Sequence, residues 1–437
     1  MNGRGLAERL RDAAAAVHAR RLWVGFSGGG DSVALLHLLK TAALRPLHAV
    51  HVHHGLQAAA DDWARQCRRV CRELGVPLRV LRVEVRPCGE GPEAAARAAR
   101  YAALAGLLEP GDVLVTAHQR DDQAETVLFR ALRGTGIAGL GGMREVEPLG
   151  PGRLWRPLLD VPRSELRAYA EAQRLAWIED PHNGDPRYAR GFLRQEVLPR
   201  LLRHFPAAAD SLVRLGRQAR AAESLLASLA TEDAARLADR GGLSITGLVQ
   251  LDAERRRNLL YHQWRAVGLP PPDAGWFERL EREVLGARAD AEPVLAHGDG
   301  EARRHRDRLF LMRRLPPAPA RGTVERWPRR RRIVLPAGCG ELRCSRVPGA
   351  DVQVRFAAGG EQLRPDGAAH RRTLKNLWQE ADVPTWVRRR MPLVYRGGEL
   401  IAVGDRWRSA TAARLGLSFV WTHALPGWAP AGTVPPA

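Results

Sequence analysis

Ser27-Gly28-Gly29-Gly30-Asp31-Ser32 sits between the apolar run Leu22 to Phe26 and a second one, Val33 to Leu39. The order reads as a strand, a glycine-rich turn and the start of a helix. Glycines let backbone approach an anion closely and aim successive N–H groups at it, and the helix N-terminus behind them adds a favourable dipole. The turn is therefore a phosphate cradle, with Ser27, Gly28, Gly29, Gly30, Asp31 and Ser32 as its candidate nucleotide contacts. Asp31 supplies a carboxylate able to hold Mg²⁺ beside phosphate oxygens, and the serines supply short hydroxyl donors. The segment lacks the Gly-Lys-Ser/Thr ending of a Walker loop, and its glycine spacing is not that of a dinucleotide fingerprint. A tight glycine turn in a Rossmann-like unit is the bland alternative.

Working outward, Leu22 to Phe26, Leu47 to His51, Leu78 to Val83 and Val113 to Ala117 are short strand-like runs. They alternate with helical stretches such as Asp61 to Leu74 and Glu93 to Leu108, which predicts an α/β, Rossmann-like domain with a mostly parallel sheet. Ligands bind outside the carboxyl ends of such strands. The motifs fall there: residues 27 to 32 follow the first strand, His53-His54 the second, and His118 to Asp122 the fourth.

Several segments carry a resemblance. Ser27 to Ser32 resembles the pyrophosphate loop of the N-type ATP pyrophosphatases, which split ATP between its α and β phosphates. Val52-His53-His54-Gly55-Leu56, Glu93 to Tyr101 and Thr116-Ala117-His118-Gln119-Arg120-Asp121-Asp122-Gln123-Ala124-Glu125-Thr126 narrow the likeness to the bacterial tRNA(Ile)-lysidine synthetases. It continues through Arg133 to Met143, Arg156-Pro157-Leu158-Leu159 and Glu179-Asp180-Pro181-His182-Asn183 to Arg190, and returns at Phe356 to Glu361 and Arg371-Arg372-Thr373-Leu374-Lys375. The resemblance is strong over residues 20 to 200, moderate over 350 to 408 and diffuse between them. It implies ATP as substrate with Mg²⁺, and as partners free L-lysine and a tRNA(Ile) with a CAU anticodon. In such an enzyme O2 of the wobble cytidine is adenylated, and the ε-amine of lysine then attacks C2 and expels AMP.

A lysine substrate needs acidic partners. If Asp121 to Glu125 opens a helix, Asp122 and Glu125 are three apart on one face, able to hold the ammonium group or assist its deprotonation. The alternative is an N-cap arrangement, because acidic residues favour helix starts for dipole reasons alone. Asp31, Asp122, Glu125 and His118 are the candidate catalytic residues, with Asp31 the metal carboxylate and His53 a further ATP contact. Arg97 and Arg100, three apart on a helix, are candidates for substrate carboxylate or phosphate. Arg190, Arg194, Arg371, Arg372 and Lys375 are the candidate tRNA contacts. Gln119 stands where the family usually has a second histidine, Gln57 where it has arginine and Gly191 where it has asparagine; glutamine cannot carry a proton, so acid or base work is not assigned to Gln119.

The 437 residues are 45% hydrophobic, enough for two or three domains with their own cores. A formal charge of +20, from 68 basic against 48 acidic residues, suits a polyanionic partner. Cys67, Cys71, Cys88, Cys339 and Cys344 are too few and too irregular for a secreted disulfide framework, and no pair has zinc-knuckle spacing. They also lack the constellation a tRNA thiolase of the same superfamily needs for sulfur transfer. Amide-forming synthetases of small metabolites share the phosphate loop but need no such charge, and an RNA-binding module with a vestigial nucleotide site is the non-enzymatic rival. Met1 to Arg21 reads as an amphipathic helix start rather than a signal peptide, and no later run approaches a membrane span, so a cytoplasmic location is expected. A homodimer is compatible with a sequence that carries no heptad run to fix the oligomeric state.

The expected organisation is a catalytic domain over residues 1–212, a mainly helical middle domain over 213–315, a connector over 316–349 and a small basic α+β domain over 350–437. The middle domain ends in a hairpin, Pro293 to Leu295 with Arg308 to Met312, around His297-Gly298-Asp299-Gly300. Arg329 to Arg332 is a dense positive run in the connector. Arg371 to Glu380 reads as a basic helix, and the tail from Gly416 carries little information.

Overall fold

A computed structural model describes the chain except residues 1–2, 45, 56–59, 86–91, 180–188, 289, 329, 350 and 429–437. The chain divides into two compact units, Met1–Ser224 and Leu225–Ala437. Among the described residues no helix is long and apolar enough to cross a membrane.

The first unit is built on a six-stranded sheet of β1 (Arg21–Gly25), β2 (Leu47–His53), β3 (Leu78–Arg82), β4 (Asp112–Val115), β5 (Val146–Leu149) and β6 (Gly152–Trp155), in the order β3-β2-β1-β4-β6-β5. All neighbours are parallel except β5 and β6, which form a hairpin. The four-strand expectation omits that hairpin, because β5 carries Pro148 and an exposed Val146 and so shows no alternating apolar run. The helices are α1 (Gly3–Val17), α2 (Gly30–Thr41), α3 (Ala60–Glu73), α4 (Pro92–Leu107), α5 (Arg120–Leu132), α6 (Ile137–Leu140) and α7 (Arg163–Ala172).

Strand alternation sorts the core into two layers. Leu22, Val24, Val113 and Val115 pack with Leu6 and Leu10 of α1, Val33 to Leu39 of α2, Cys67 and Val70 of α3 and Leu166 of α7. Trp23, Val50, Leu114 and Leu154 point the other way, against Leu104 of α4 and Leu108. Strand order reverses at β1, which has β2 on one side and β4 on the other. That is a topological switch point, where a crevice opens outside the carboxyl ends of the strands.

Beyond α7 the chain forms a helical run with a wide turn in it, Ala189–Phe192, then a π-helical segment Leu193–Val197, then Leu198–His204. Leu198 N–H bonds back to Leu193 C=O, five residues away. Pro199 follows and has no N–H to continue the regular ladder, which accounts for the wide turn.

The second unit is antiparallel. Ala238–Asp239, Gly242–Ser244, Arg308–Arg313, Gly300–His305 and Val294–His297 form one five-stranded sheet in that order, packed with the helix Ala253–Ala266. The expected single hairpin is thus two successive ones, since Gly300–His305 is itself a strand between the segments singled out. A second five-stranded sheet runs Val324–Arg326, Val352–Arg355, Leu393–Arg396, Glu399–Val403, Trp407–Arg408, and a three-stranded one joins Arg332–Val334, Glu341–Cys344 and Phe419–Thr422. Residues 316–349 therefore supply strands to both sheets, and the uninformative tail contains a strand with a fully buried Trp421. The basic helix begins later than expected, at Leu374, because the Thr373 hydroxyl accepts from Asn376 N–H and caps it there. Arg371 and Arg372 precede the helix, and Lys375 lies on it.

At the end of the first unit's sheet away from the crevice, the buried Asp112 carboxylate accepts from Arg20 Nε (3.1 Å), Arg21 Nε (3.3 Å), Trp23 Nε1 (3.4 Å) and the Glu109 N–H (3.1 Å). Asp112→Ala leaves these donors without their acceptor and should destabilise the unit by about 3 kcal/mol. Urea denaturation followed by tryptophan fluorescence measures the loss; a midpoint equal to that of the unaltered protein would show the carboxylate to be dispensable.

Candidate active site

The turn after β1 is held by its own hydroxyls. Gly28 N–H donates to Ser32 Oγ (3.1 Å), Gly29 N–H to Ser27 Oγ (3.3 Å), and Ser32 Oγ–H to Gly29 C=O (2.9 Å). Gly28 adopts φ +84°, a conformation that favours glycine. Gly29 is the N-cap of α2 and brings no side-chain acceptor, so the N–H groups of Gly30, Asp31 and Ser32 are left at the helix start without intrahelical partners. Such a cluster of donors is a ready anion site. Asp31 projects from the first helical turn, its carboxylate 3.7 Å from Arg163 Nε. Burial raises its pKa, and the Arg163 charge opposes the rise.

The second arm of the site is the start of α5. Gln119 is its N-cap: Oε1 accepts from Asp121 N–H (2.5 Å) and Asp122 N–H (3.3 Å), while Asp122 Oδ2 accepts from Gln119 N–H (3.3 Å) in a capping box. The N-cap alternative thus holds in part, since Asp122 serves the cap with one oxygen and keeps the other for the site. Asp122 Oδ1 receives Arg163 Nη2 (3.0 Å) and Arg194 Nη2 (2.9 Å). Glu125 lies one turn on and is 2% exposed. Its Oε2 receives Arg194 Nε (2.9 Å), and its Oε1 is 3.6 Å from Arg190 Nη1. Burial pushes the Glu125 carboxyl up, Arg194 pulls it down, and the net direction is up. Asp122 and Glu125 share the Arg194 guanidinium, the same-face relation that a spacing of three predicts.

Asp121 turns away from this pair and accepts from the Arg163 backbone N–H (2.9 Å). Arg163 therefore touches both arms, with its guanidinium on Asp122 and near Asp31. Sequence reasoning missed it. Its only local signal is Pro162-Arg163 opening α7, and nothing in the spacing links that helix to residues 31 or 122. Arg190 and Arg194 were assigned to tRNA, and their guanidiniums meet the Glu125 carboxylate.

The histidines line the neighbouring strand ends. His118 Nδ1 is 2.8 Å from Thr116 Oγ1. Burial, then the charges of Arg156, Arg97, Arg190 and Arg100, push its pKa down to about 3. Arg100 Nε donates to His54 Nε2 (3.2 Å), and burial together with that guanidinium lowers His54 to about 4. The Arg97 guanidinium stacks over the Tyr101 ring at 4.9 Å. His53 is buried, with Nε2 3.2 Å from Asp61 Oδ1. The residues named from sequence in this unit thus divide between a carboxylate–arginine cluster and a basic histidine rim. Gln57 and the segment Asp180 to Asn183 lie outside the described residues. Among the described residues there is no cluster of three or more metal-ligating side chains.

Comparison with known proteins covers nearly the whole chain. A PP-loop domain family matches residues 4–201, the TilS substrate binding domain matches 243–310 and the TilS substrate C-terminal domain matches 352–421. The tRNA(Ile)-lysidine synthase of Pseudomonas aeruginosa is 44% identical over 423 residues, covering 92% of this chain and 93% of that protein. The protein of the same name from Xanthomonas campestris pv. campestris is 42% identical over 424 residues, covering 92% and 95%. That of Alkalilimnicola ehrlichii is 44% identical over 395 residues, covering 87% and 88%.

The depressed histidines give the unit a pH response of definite sign. With a folded pKa of about 3 against an ordinary 6.5, His118 takes up its proton mainly in the unfolded chain, so stability is full above pH 6.5 and falls as pH drops toward 3. At pH 5.5 this one group should cost about 1 kcal/mol. Comparing urea midpoints at pH 7.5 and 5.5 tests it: the fall should be smaller in His118→Gln than in the unaltered protein, and an equal fall would place His118 in contact with solvent.

Proposed function

The chain belongs to the tRNA(Ile)-lysidine synthase family, an ATP-dependent carbon–nitrogen ligase family acting on tRNA, and from that premise we propose how its residues divide the reaction. The observation that carries the proposal is Arg163, whose guanidinium reaches the phosphate-loop carboxylate Asp31 and the α5 carboxylate Asp122 at once. Nucleotide and amine chemistry are thereby joined at one crevice.

The free N–H groups at the start of α2 bind the β and γ phosphates of ATP, whose charge grows as pyrophosphate leaves. Asp31 suits Mg²⁺, which is commonly held by one or two carboxylates together with substrate phosphates rather than by a cage of protein ligands. When bound, the ion neutralises phosphate charge. His53 and His118 face the nucleotide from the adjoining strand ends, with His118 neutral at physiological pH, so that it hydrogen-bonds rather than contributes charge. In the first step O2 of the wobble cytidine attacks the α-phosphorus, forming an adenylated base and releasing pyrophosphate.

The amine is free L-lysine. Its ammonium group has no lone pair and must lose a proton before attacking C2. Asp122 and Glu125 hold it, and Glu125 is the better proton acceptor, since burial has raised its affinity for protons. Arg190 and Arg194 keep the two carboxylates oriented until the amine arrives, and Arg97 and Arg100 receive a substrate carboxylate or phosphate. Attack at C2 forms the new C–N bond and breaks the bond to AMP.

Residues 1–212 form the catalytic domain in this reading, 213–315 the middle domain, 316–349 the connection and 350–437 a tRNA-binding domain. Arg371 and Lys375 are exposed, whereas Arg372 pairs with Glu380. The three basic residues bind phosphates of the tRNA body, which sets register rather than base identity.

Incubation of the full chain with tRNA(Ile), ATP, Mg²⁺ and lysine, followed by nucleoside mass analysis, should give lysidine. Asp122→Asn and Glu125→Gln should each retain lysine-independent pyrophosphate release while lowering lysidine formation by about 100-fold or more. Loss of pyrophosphate release with unchanged lysine dependence would instead place these carboxylates in nucleotide binding.

Replacing Arg371, Arg372 and Lys375 together by alanine should raise the Kd for tRNA and flatten the slope of log K against log salt by up to about three units, without altering ATP binding. Filter binding across a salt series reads both, and an unchanged slope would make this a solvated surface.

A further inference from the structure

We propose that Ile178 and Trp177, on the segment that follows α7, are positioning residues for ATP, acting as a clamp that sets the conformation of the phosphate loop. The inference rests on the reading of that loop as the ATP site and extends it to residues outside the loop. Ile178 N–H donates to Gly28 C=O at 2.9 Å. The point where a β-carbon on Gly28 would stand is 2.6 Å from Ile178 Cδ1 and 3.0 Å from Cys67 Sγ, so the side chain fills the space the glycine leaves. The corresponding point on Gly30 lies 3.7 Å from Trp177 Cγ, which puts the indole beside the first residue of α2. Both side chains are partly buried against the core layer of α1, α2 and α7. A packed segment thus reaches the loop from a distant part of the chain.

The physical consequence follows from peptide planarity. In a trans peptide the carbonyl of Gly28 and the N–H of Gly29 point in opposite directions. Fixing the carbonyl on Ile178 therefore aims the Gly29 N–H into the loop, where it now meets Ser27 Oγ. It also turns a carbonyl oxygen, which would repel phosphate, away from the anion. Without the clamp, a three-glycine turn has many conformations and loses entropy when it binds. Ile178 is in this sense a means of setting that turn before ATP arrives.

The test uses the full chain, with radiolabelled ATP in equilibrium dialysis without tRNA and AMP release measured with saturating tRNA and lysine. Ile178→Ala keeps the backbone N–H but removes the side chain that seats it against Gly28, and should weaken ATP binding and raise KM for ATP by roughly 10-fold. Its kcat at saturating ATP should stay within about threefold, because the bound loop is the same once formed. Ile178→Val keeps the branched stem but loses Cδ1 and should show an intermediate affinity, and tRNA affinity should be unmoved in both. Should Ile178→Ala fail to fold, Trp177→Leu carries the test: measured below its Tm, KM for ATP should rise by at least about threefold with kcat unchanged. A lowered Tm with unaltered ATP affinity in these variants would overturn the clamp and leave Ile178 and Trp177 as core residues. Failure of the unaltered protein to bind ATP would sink the ATP-site reading itself, and the clamp with it.

Discussion

The parallel pairing of β1 with β2 on one side and β4 on the other is the constraint from which the rest of the catalytic unit follows. The chain leaves the carboxyl end of β1 into the start of α2 and the carboxyl end of β4 into the start of α5. Two helix N-termini are thereby brought to one crevice. The start of α2 offers uncapped N–H groups with Asp31 in its first turn, whereas the start of α5, its Asp121 and Asp122 N–H groups capped by Gln119, offers the carboxylates Asp122 and Glu125. The fold brings together groups that are about ninety residues apart in sequence without any local motif joining them.

Charge compensation gives that crevice its character. Three carboxylates in a partly desolvated space would repel one another, and burial alone would drive them toward protonation. Arg163, Arg190 and Arg194 offset the repulsion, and they come from α7, from the helical turn Ala189–Phe192 and from the π-helical segment before Pro199. Arg194 reaches Asp122 and Glu125 from within that wide turn. Irregular helical turns of this kind are common where a side chain must be aimed at a site. A short stretch of non-ideal backbone here serves the electrostatics of residues some seventy positions upstream.

How much of this was legible in the sequence depended on whether the cause was local. The phosphate loop, the parallel strands and the Asp122–Glu125 pair were readable because each rests on a short-range pattern: apolar runs around glycines, alternation of strand and helix, a spacing of three on a helix. Arg163 was not readable, because its role exists only once α7 has packed against α2. The β5–β6 hairpin is hidden by the half-exposed residues of β5, and residues 316–349 read as a connector because strands of three or four residues leave little periodicity. By charge alone Arg371 to Glu380 reads as one basic helix, whereas the capping preference of Thr373 sets the boundary.

Gln119 caps α5 through a single oxygen that accepts from two amides, and a lone pair is all those amides require. A histidine offers a comparable lone pair from its unprotonated ring nitrogen. Gln119 is fully buried and supplies its lone pair from a group that does not titrate, so the cap does not respond to pH. The helix start that aims Asp122 is thereby insulated from any protonation of its own cap.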